Sequence, residues 1–231
     1  MHVRNVIDIV SGMIEYYRHP RKRDSWGGPL NNQQFRQKIF RQLLEHFRFF
    51  GIVETGTYRG TTTNFFNKTS GLPVYSTESH PHYYGFSAIR FWRNPGVTIK
   101  LNDSRAFLNN LTKDPVLRGQ HLFFYLDAHW ETDLPLAEEV DIIFRHWPDA
   151  VIMVDDFQVP FDAGYEYDDY GEDASLTPQY LDRKLDISIE KFYPSAPSDD
   201  ETGAKRGSIV LSHAPETSDQ LKTLDTLRQA G

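Results

Sequence analysis

The chain of 231 residues contains no cysteine. That excludes a disulfide framework, a cysteine zinc site, an iron–sulfur cluster and a thiol nucleophile. Long apolar runs are missing too: none approaches the ~20 residues that a membrane helix needs, so no membrane partner is expected. The first stretch, MHVRNVIDIVSGMIEYYRHPRKRD, lacks the apolar core and small-residue cleavage site of a secretory signal, and a cytoplasmic protein is expected. No internal repeat or low-complexity tract is present. Positive charge is in short supply, with a net charge of −7, and it is unevenly spread. Residues 1–48 carry nine Lys/Arg against four Asp/Glu, a balance of +5, and residues 49–231 carry sixteen against twenty-eight, a balance of −12. The basic arm His19–Asp24 suits an anionic partner or a solvated connector. The acidic remainder repels a polyanion, so nucleic acid is not an expected partner.

With 39% hydrophobic and 25% charged positions, the composition fits one globular domain, or a domain with a small appendage, long enough to bury a full core. Residues 2–18 read as a helix with Val3, Val6, Ile7, Val10 and Ile14 on one face. After the loop Ser25–Asn32, a second amphipathic helix carries Phe35, Ile39, Leu43, Leu44 and Phe47. Residues 1–48 are therefore expected to form an N-terminal helical cap that covers one side of a cleft or builds a homodimer contact. Residues 49–231 are expected to form the main domain.

There, short strands alternate with helices: GIVETG (51–56), LPVYSTE (72–78), VTIKLND (97–103), HLFFYLDA (121–128) and AVIMVDD (150–156) are separated by four helical patterns. Such alternation predicts a doubly wound α/β fold with a mostly parallel sheet. Strands are also predicted near Asp186–Tyr193 and at Arg206–Ser212, and a terminal helix at Thr217–Gln229. The first five strands end polar, at Glu54, Glu78, Asp103, Asp127 and Asp155/Asp156. Ligands of open α/β sheets sit beyond the carboxyl ends of the strands, where these acids gather.

Glu54-Thr-Gly56-Thr-Tyr-Arg-Gly60 follows an apolar strand and opens a helix, so its backbone can approach a ligand at a helix N-terminus. Glu78, 24 residues on, is placed to accept ribose hydroxyls, and Asp103-Ser104 ends the third strand. The alternative is that these acids merely cap helices. VETGTYRGTT, STES, NDS, FYLDAHW and IMVDDF, in that order, resemble the motifs of class I S-adenosylmethionine-dependent methyltransferases over roughly residues 33–212, with 157–204 matching only in outline. The resemblance implies a seven-stranded Rossmann-like sheet whose last strand, Arg206–Ser212, runs antiparallel. It also implies that S-adenosylmethionine is held by Glu54, Gly56, Thr57 and Gly60 around the methionine, Glu78 and Ser79 at the ribose, and Asp103 and Ser104 at the adenine.

Asp127 and Asp155/Asp156 end neighbouring strands, close enough to share a hard cation with oxygen ligands such as Mg²⁺. The pattern is similar to that of metal-dependent O-methyltransferases, of the catechol and macrolide-sugar types. That resemblance implies Asp127, Asp155 and Asp156 as ligands of an ion that chelates adjacent substrate hydroxyls. Alternatively, Asp127 binds the cofactor's ammonium group and Asp155/Asp156 cap a turn. The catechol-type lysine base is absent from the run Asp127-Ala-His129-Trp130-Glu131, which leaves His129 or Asp127 as the base.

The aromatic helix with Tyr83, Tyr84, Phe86, Phe91 and Trp92 reads as core packing, and His80 and His82 lack a third metal ligand nearby. No G-x-S-x-G elbow supports a serine nucleophile. Residues 155–173 hold eight carboxylates and no Lys or Arg, and the loop 159–171 is a candidate substrate wall. The expectation is a methyltransferase acting on a hydroxyl of a small molecule such as a sugar or polyphenol. Other metal chemistry on the same fold, hydroxylase-like, or a non-catalytic binding module are the alternatives.

Overall fold

The computed structural model describes residues 3–129, 133–171 and 174–229. Trp130, Glu131, Glu172 and Asp173, and the side chain of Val3, lie outside the described residues. Five parallel strands, β1 (Gly51–Thr55), β2 (Val74–Glu78), β3 (Val97–Leu101), β4 (Leu122–Leu126) and β5 (Val151–Val154), are followed by β6 (Glu190–Pro194), β7 (Ile209–Ser212) and β8 (Leu227–Gln229). They form one sheet in the order β3-β2-β1-β4-β5-β7-β6-β8. β7 is inserted antiparallel between β5 and β6, as expected for Arg206–Ser212.

The sheet has eight strands rather than seven, and the expected terminal helix Thr217–Gln229 is divided. A short helix, α8 (Pro215–Leu221), gives way to a turn and to β8, which pairs antiparallel with β6. The helix stops because tertiary partners compete for its chain: Leu224 and Leu227 turn into the core, and the Thr226 N–H donates to Gln42 Oε1 across 3.2 Å.

Alternating side chains sort the strands onto two cores. Leu122, Phe124 and Leu126 pack with α5 (Ser104–Leu111), α6 (Leu136–His146) and α7 (Pro178–Lys184). Phe123 and Tyr125 face α2 (Gln34–His46) and α3 (Thr61–Ser70), where Ile39, Phe40, Leu43 and Phe66 are buried. The expected 1–48 cap thus sends its two helices to different places. α2 is built into the sheet's own core, whereas α1 (Val3–Arg18) lies on α4 (Pro81–Phe91).

α1 meets α4 through a face opposite to the one its sequence suggests. A Cβ on Gly12 would stand 1.9 Å from the His82 carbonyl oxygen, and one on Gly85 would stand 2.0 Å from that of Ile9. Backbones this close admit no side chain, so the two glycines set the crossing. Val6, Ile7, Val10 and Ile14 consequently face outward, with Ile7 63% exposed.

Candidate active site

Sheet register aligns the carboxyl ends of the central strands. Thr55 pairs with Thr77 and Leu126, and Leu126 with Val154, so Gly56, Asp127 and Asp155 follow in one row. Backbone bonds continue this row beyond the strands: the Asp127 N–H donates to Thr55 O (2.9 Å) and the Asp155 N–H to Leu126 O (3.0 Å). Gly56, at φ 86°, lies against the β4 turn so closely that a Cβ would fall 2.0 Å from the Asp127 carbonyl oxygen. The glycine is therefore required by the protein's own backbone. Gly60 caps α3 in the left-handed conformation.

The acids around this first loop are held by local donors. Glu54 is buried and accepts from Ser76 Oγ (2.6 Å) and from the Thr63 hydroxyl, while Thr57 Oγ1 lies 2.5 Å from Ser76 Oγ. Burial raises Glu54 to about 7, further than the two hydroxyls lower it. Glu78 accepts from the backbone N–H groups of Tyr58 (2.7 Å) and His80 (2.8 Å), and burial raises it as well. Ser79 is exposed beside it. Asp103 caps α5, accepting from the N–H groups of Arg105 (3.0 Å) and Ala106 (3.1 Å), and pairs with the Arg105 guanidinium, whose hydrogen bond lowers it. Ser104 is buried under it, with its hydroxyl on Glu139, a buried carboxyl that desolvation raises to about 7. Eight of the nine residues expected around the cofactor thus lie along the β1–β3 ends, and the ninth, Asp127, follows β4.

At β4 and β5 the arrangement differs. Asp155, expected as a metal ligand, has both oxygens occupied. Oδ1 takes the Arg36 guanidinium and the Asp156 N–H (2.8 Å), and Oδ2 takes Tyr125 OH (2.5 Å) and Asn31 Nδ2 (3.2 Å). Burial would raise Asp155, but Arg36 and these donors outweigh it and hold it below the usual carboxylate range. Arg36 also donates to the Arg206 and Gly207 carbonyls, and Glu201 accepts the Phe35 and Arg36 N–H groups at the start of α2.

Three other groups come together instead. One donor atom each from Asp127, His129 and Asp156 lies within 4.8 Å of the others. His129 Nε2 stands 3.9 Å from Asp127 Oδ1, 4.0 Å from Asp156 Oδ2 and 3.9 Å from Asp168 Oδ2. His129 is 6% exposed, and its Nε2 has no hydrogen-bond partner among the described residues. Burial lowers its basicity, so the imidazole is neutral near pH 7, with a lone pair to offer. Burial and the neighbouring Asp155 raise Asp156 to about 7, and burial with Asp155, Asp156 and Glu54 raises Asp127 well above its ordinary range. Asp156, just past β5, takes a left-handed φ of 50°. Arg206 fixes the two flanking acids, its Nε 2.8 Å from Asp156 Oδ1 and its Nη2 on Asp168 Oδ1. Asp156 Oδ2 is left facing His129, whereas Asp168 Oδ2 accepts the Tyr170 hydroxyl.

Arg36, Arg206 and Asp168 were missed from the sequence. Arg36 was detectable, because it falls on the same helical stripe as Ile39, Phe40 and Leu43. Asp168 and Arg206 carry no local signal, since only the fold brings them to β5.

No protein-family model matches the chain, and no curated protein matches it. Its structure, however, is similar to that of the O-methyltransferase from Bacillus cereus in complex with SAH, with a TM-score of 0.56 at 17% identity over 88% of this chain and 91% of that one. The fold is that of the class I S-adenosylmethionine-dependent methyltransferases. Cofactor-bound Rv0187 from MTB gives the same TM-score of 0.56 and 17% identity, over 78% of this chain and 80% of that one. A SAM-dependent methyltransferase from Aquifex aeolicus gives 0.50 at 13% identity, over 85% and 96%. Among the described residues of this methyltransferase fold, no helix is long and apolar enough to cross a membrane.

Proposed function

We propose that the protein transfers the methyl group of S-adenosylmethionine to a hydroxyl of a small molecule, assisted by a divalent cation at the β4–β5 ends. The observation that carries this reading is the convergence of Asp127, His129 and Asp156 beside the Gly56 loop of a methyltransferase fold. When bound, the cofactor supplies an electrophilic methyl group on a sulfonium, and the cation draws charge from the attacking oxygen.

The chain's residues have three tasks. The Gly56–Gly60 loop and the β2 and β3 ends, with Glu78 and Asp103, border the place for the nucleoside. Asp127 borders both that place and the cation's, and would position a hydroxyl bound there for methyl transfer. Asp127 or His129, the two groups singled out from the sequence, would take the hydroxyl proton as the methyl group passes from sulfur to oxygen. The acidic loop that contributes Asp168 walls the substrate side. Oxygen ligands alone would suit magnesium, and the His129 nitrogen adds a different donor.

Calorimetric titration with S-adenosylhomocysteine tests the reading. Saturable binding, weakened about tenfold or more in Glu78→Ala, is expected from the loss of a charged hydrogen-bonding partner. Absence of binding to the folded protein would overturn it.

A further inference from the structure

We propose that Asp127, His129 and Asp156 form a site for a borderline first-row transition ion, of the cobalt, iron or zinc class, and that the site discriminates against magnesium. Three observations carry this. The first is charge. Asp127, Asp155, Asp156 and Asp168 are gathered around two cationic side chains, Arg36 and Arg206. These four against two guanidiniums leave a charge of −2 when all are ionised, and the exposed Glu166, 3.6 Å from Arg206 Nη1, adds a further carboxylate at the rim, an excess that one divalent ion largely offsets.

The second is the donor that is left over. Asp155 has both oxygens occupied by Arg36, Tyr125, Asn31 and the Asp156 N–H, Asp168 has both occupied by Arg206 and the Tyr170 hydroxyl, and Arg206 takes one oxygen of Asp156. His129 Nε2, buried and unpartnered among the described residues, is aimed at what remains. An imidazole nitrogen left dry in this way costs free energy unless something binds it.

The third is spacing. Donors ~2.1 Å from one ion stand from ~3.0 Å apart at right angles to ~4.2 Å apart in line. The separations of 3.9 Å and 4.0 Å from His129 Nε2 to the two carboxylates fall inside that span. A set of one nitrogen and two carboxylate oxygens leaves positions open for water or a substrate oxygen. Imidazole favours borderline ions, whereas magnesium prefers oxygen throughout.

The ion site stands on its own geometry. Its catalytic consequence rests on the methyl-transfer reading: a lone pair given to an ion is closed to a proton, which leaves as acceptor the Asp127 oxygen that does not hold the ion.

The test uses the full chain stripped with EDTA and titrated separately with Co²⁺ and Mg²⁺, following heat and, for Co²⁺, the visible ligand-field bands. Co²⁺ is expected to bind about a hundredfold or more tighter than Mg²⁺. His129→Ala is expected to weaken Co²⁺ about tenfold or more and change its bands, with Mg²⁺ nearly unaffected. His129→Asn, with thermal melting of both variants, guards against simple misfolding. Equal affinities for the two ions, no ion binding to the folded chain, or Co²⁺ bands unchanged in both variants would overturn the proposal. S-adenosylhomocysteine binding measured in EDTA reports separately on the methyltransferase reading, so either can fail alone.

Discussion

Glu54, Glu78 and Asp103 on the β1–β3 side, and Asp127, Asp155 and Asp156 on the β4–β5 side, all stand at or just beyond strand ends, but the protein surrounds them differently. Each acid of the first group is met by hydroxyls or backbone N–H groups within its own neighbourhood, and Asp103 also by the Arg105 guanidinium two residues on. Those of the second group face one another, and their partners come from α2 and from the β7 approach, more than 100 residues away in the chain for Arg36. A strand-end carboxylate takes its role from the donors around it. Where hydrogen bonds suffice, it braces a loop. Where acids outnumber cations, it draws in partners from distant parts of the chain.

Substitutions can break this contrast. The largest effect is expected for Asp156→Asn, which removes a charge from the crowded side. Methyl transfer to a hydroxyl acceptor, followed with labelled S-adenosylmethionine, should fall by about a hundredfold or more as alignment is lost, while S-adenosylhomocysteine still binds. Arg36→Ala should then cost roughly 3–5 kcal/mol of stability in urea denaturation, because it strands a buried carboxylate. Asp155 is depressed in the folded state. Its contribution is therefore complete above the unfolded value near 4 and disappears as pH falls through the lower folded value.

Glu139 tests the opposite sign. The folded protein keeps its proton up to about 7 and the unfolded chain releases it near 4.5, so stability should decline as pH rises between the two. Glu139→Gln should flatten that slope and raise stability at pH 8 by roughly 1–3 kcal/mol. The smallest effect belongs to Glu15, which joins α1 to Lys22 (2.6 Å), Arg59 (3.0 Å) and His82. Glu15→Gln should cost about 1 kcal/mol or less, and less still in high salt.

The five parallel strands were legible in the sequence because β1 to β5 are short apolar runs closed by acids and separated by helical patterns, whereas their order in the sheet, β3-β2-β1-β4-β5, comes from the structure. The antiparallel β7 followed from the family resemblance. Local pattern failed where tertiary partners override it. The stretch after Leu221 has helical composition, but its end is drawn into β8 by Gln42 and the β6 edge. The apolar stripe of α1 faces outward because two glycines offer a closer fit on the other side. In the candidate site, Asp127, His129 and Asp156 were all singled out from the sequence. What a sequence could not show is that Arg36 would claim Asp155 and that His129 would stand beside Asp127 and Asp156.

The buried guanidinium of Arg36 also governs when the chain can finish folding. Its partners Asp155 and Gly207 lie 119 and 171 residues downstream, and the Glu201 that receives its N–H lies 165 residues downstream. Contacts of such separation form late, because a long loop must close before they reward the chain. On the ribosome, α2 can coil and dock on the first strands early. Its arginine stays without its full set of acceptors until the last antiparallel strands have emerged. Completion of the acidic end of the sheet is thereby deferred to the whole chain, and a truncated product lacking β7 cannot assemble it.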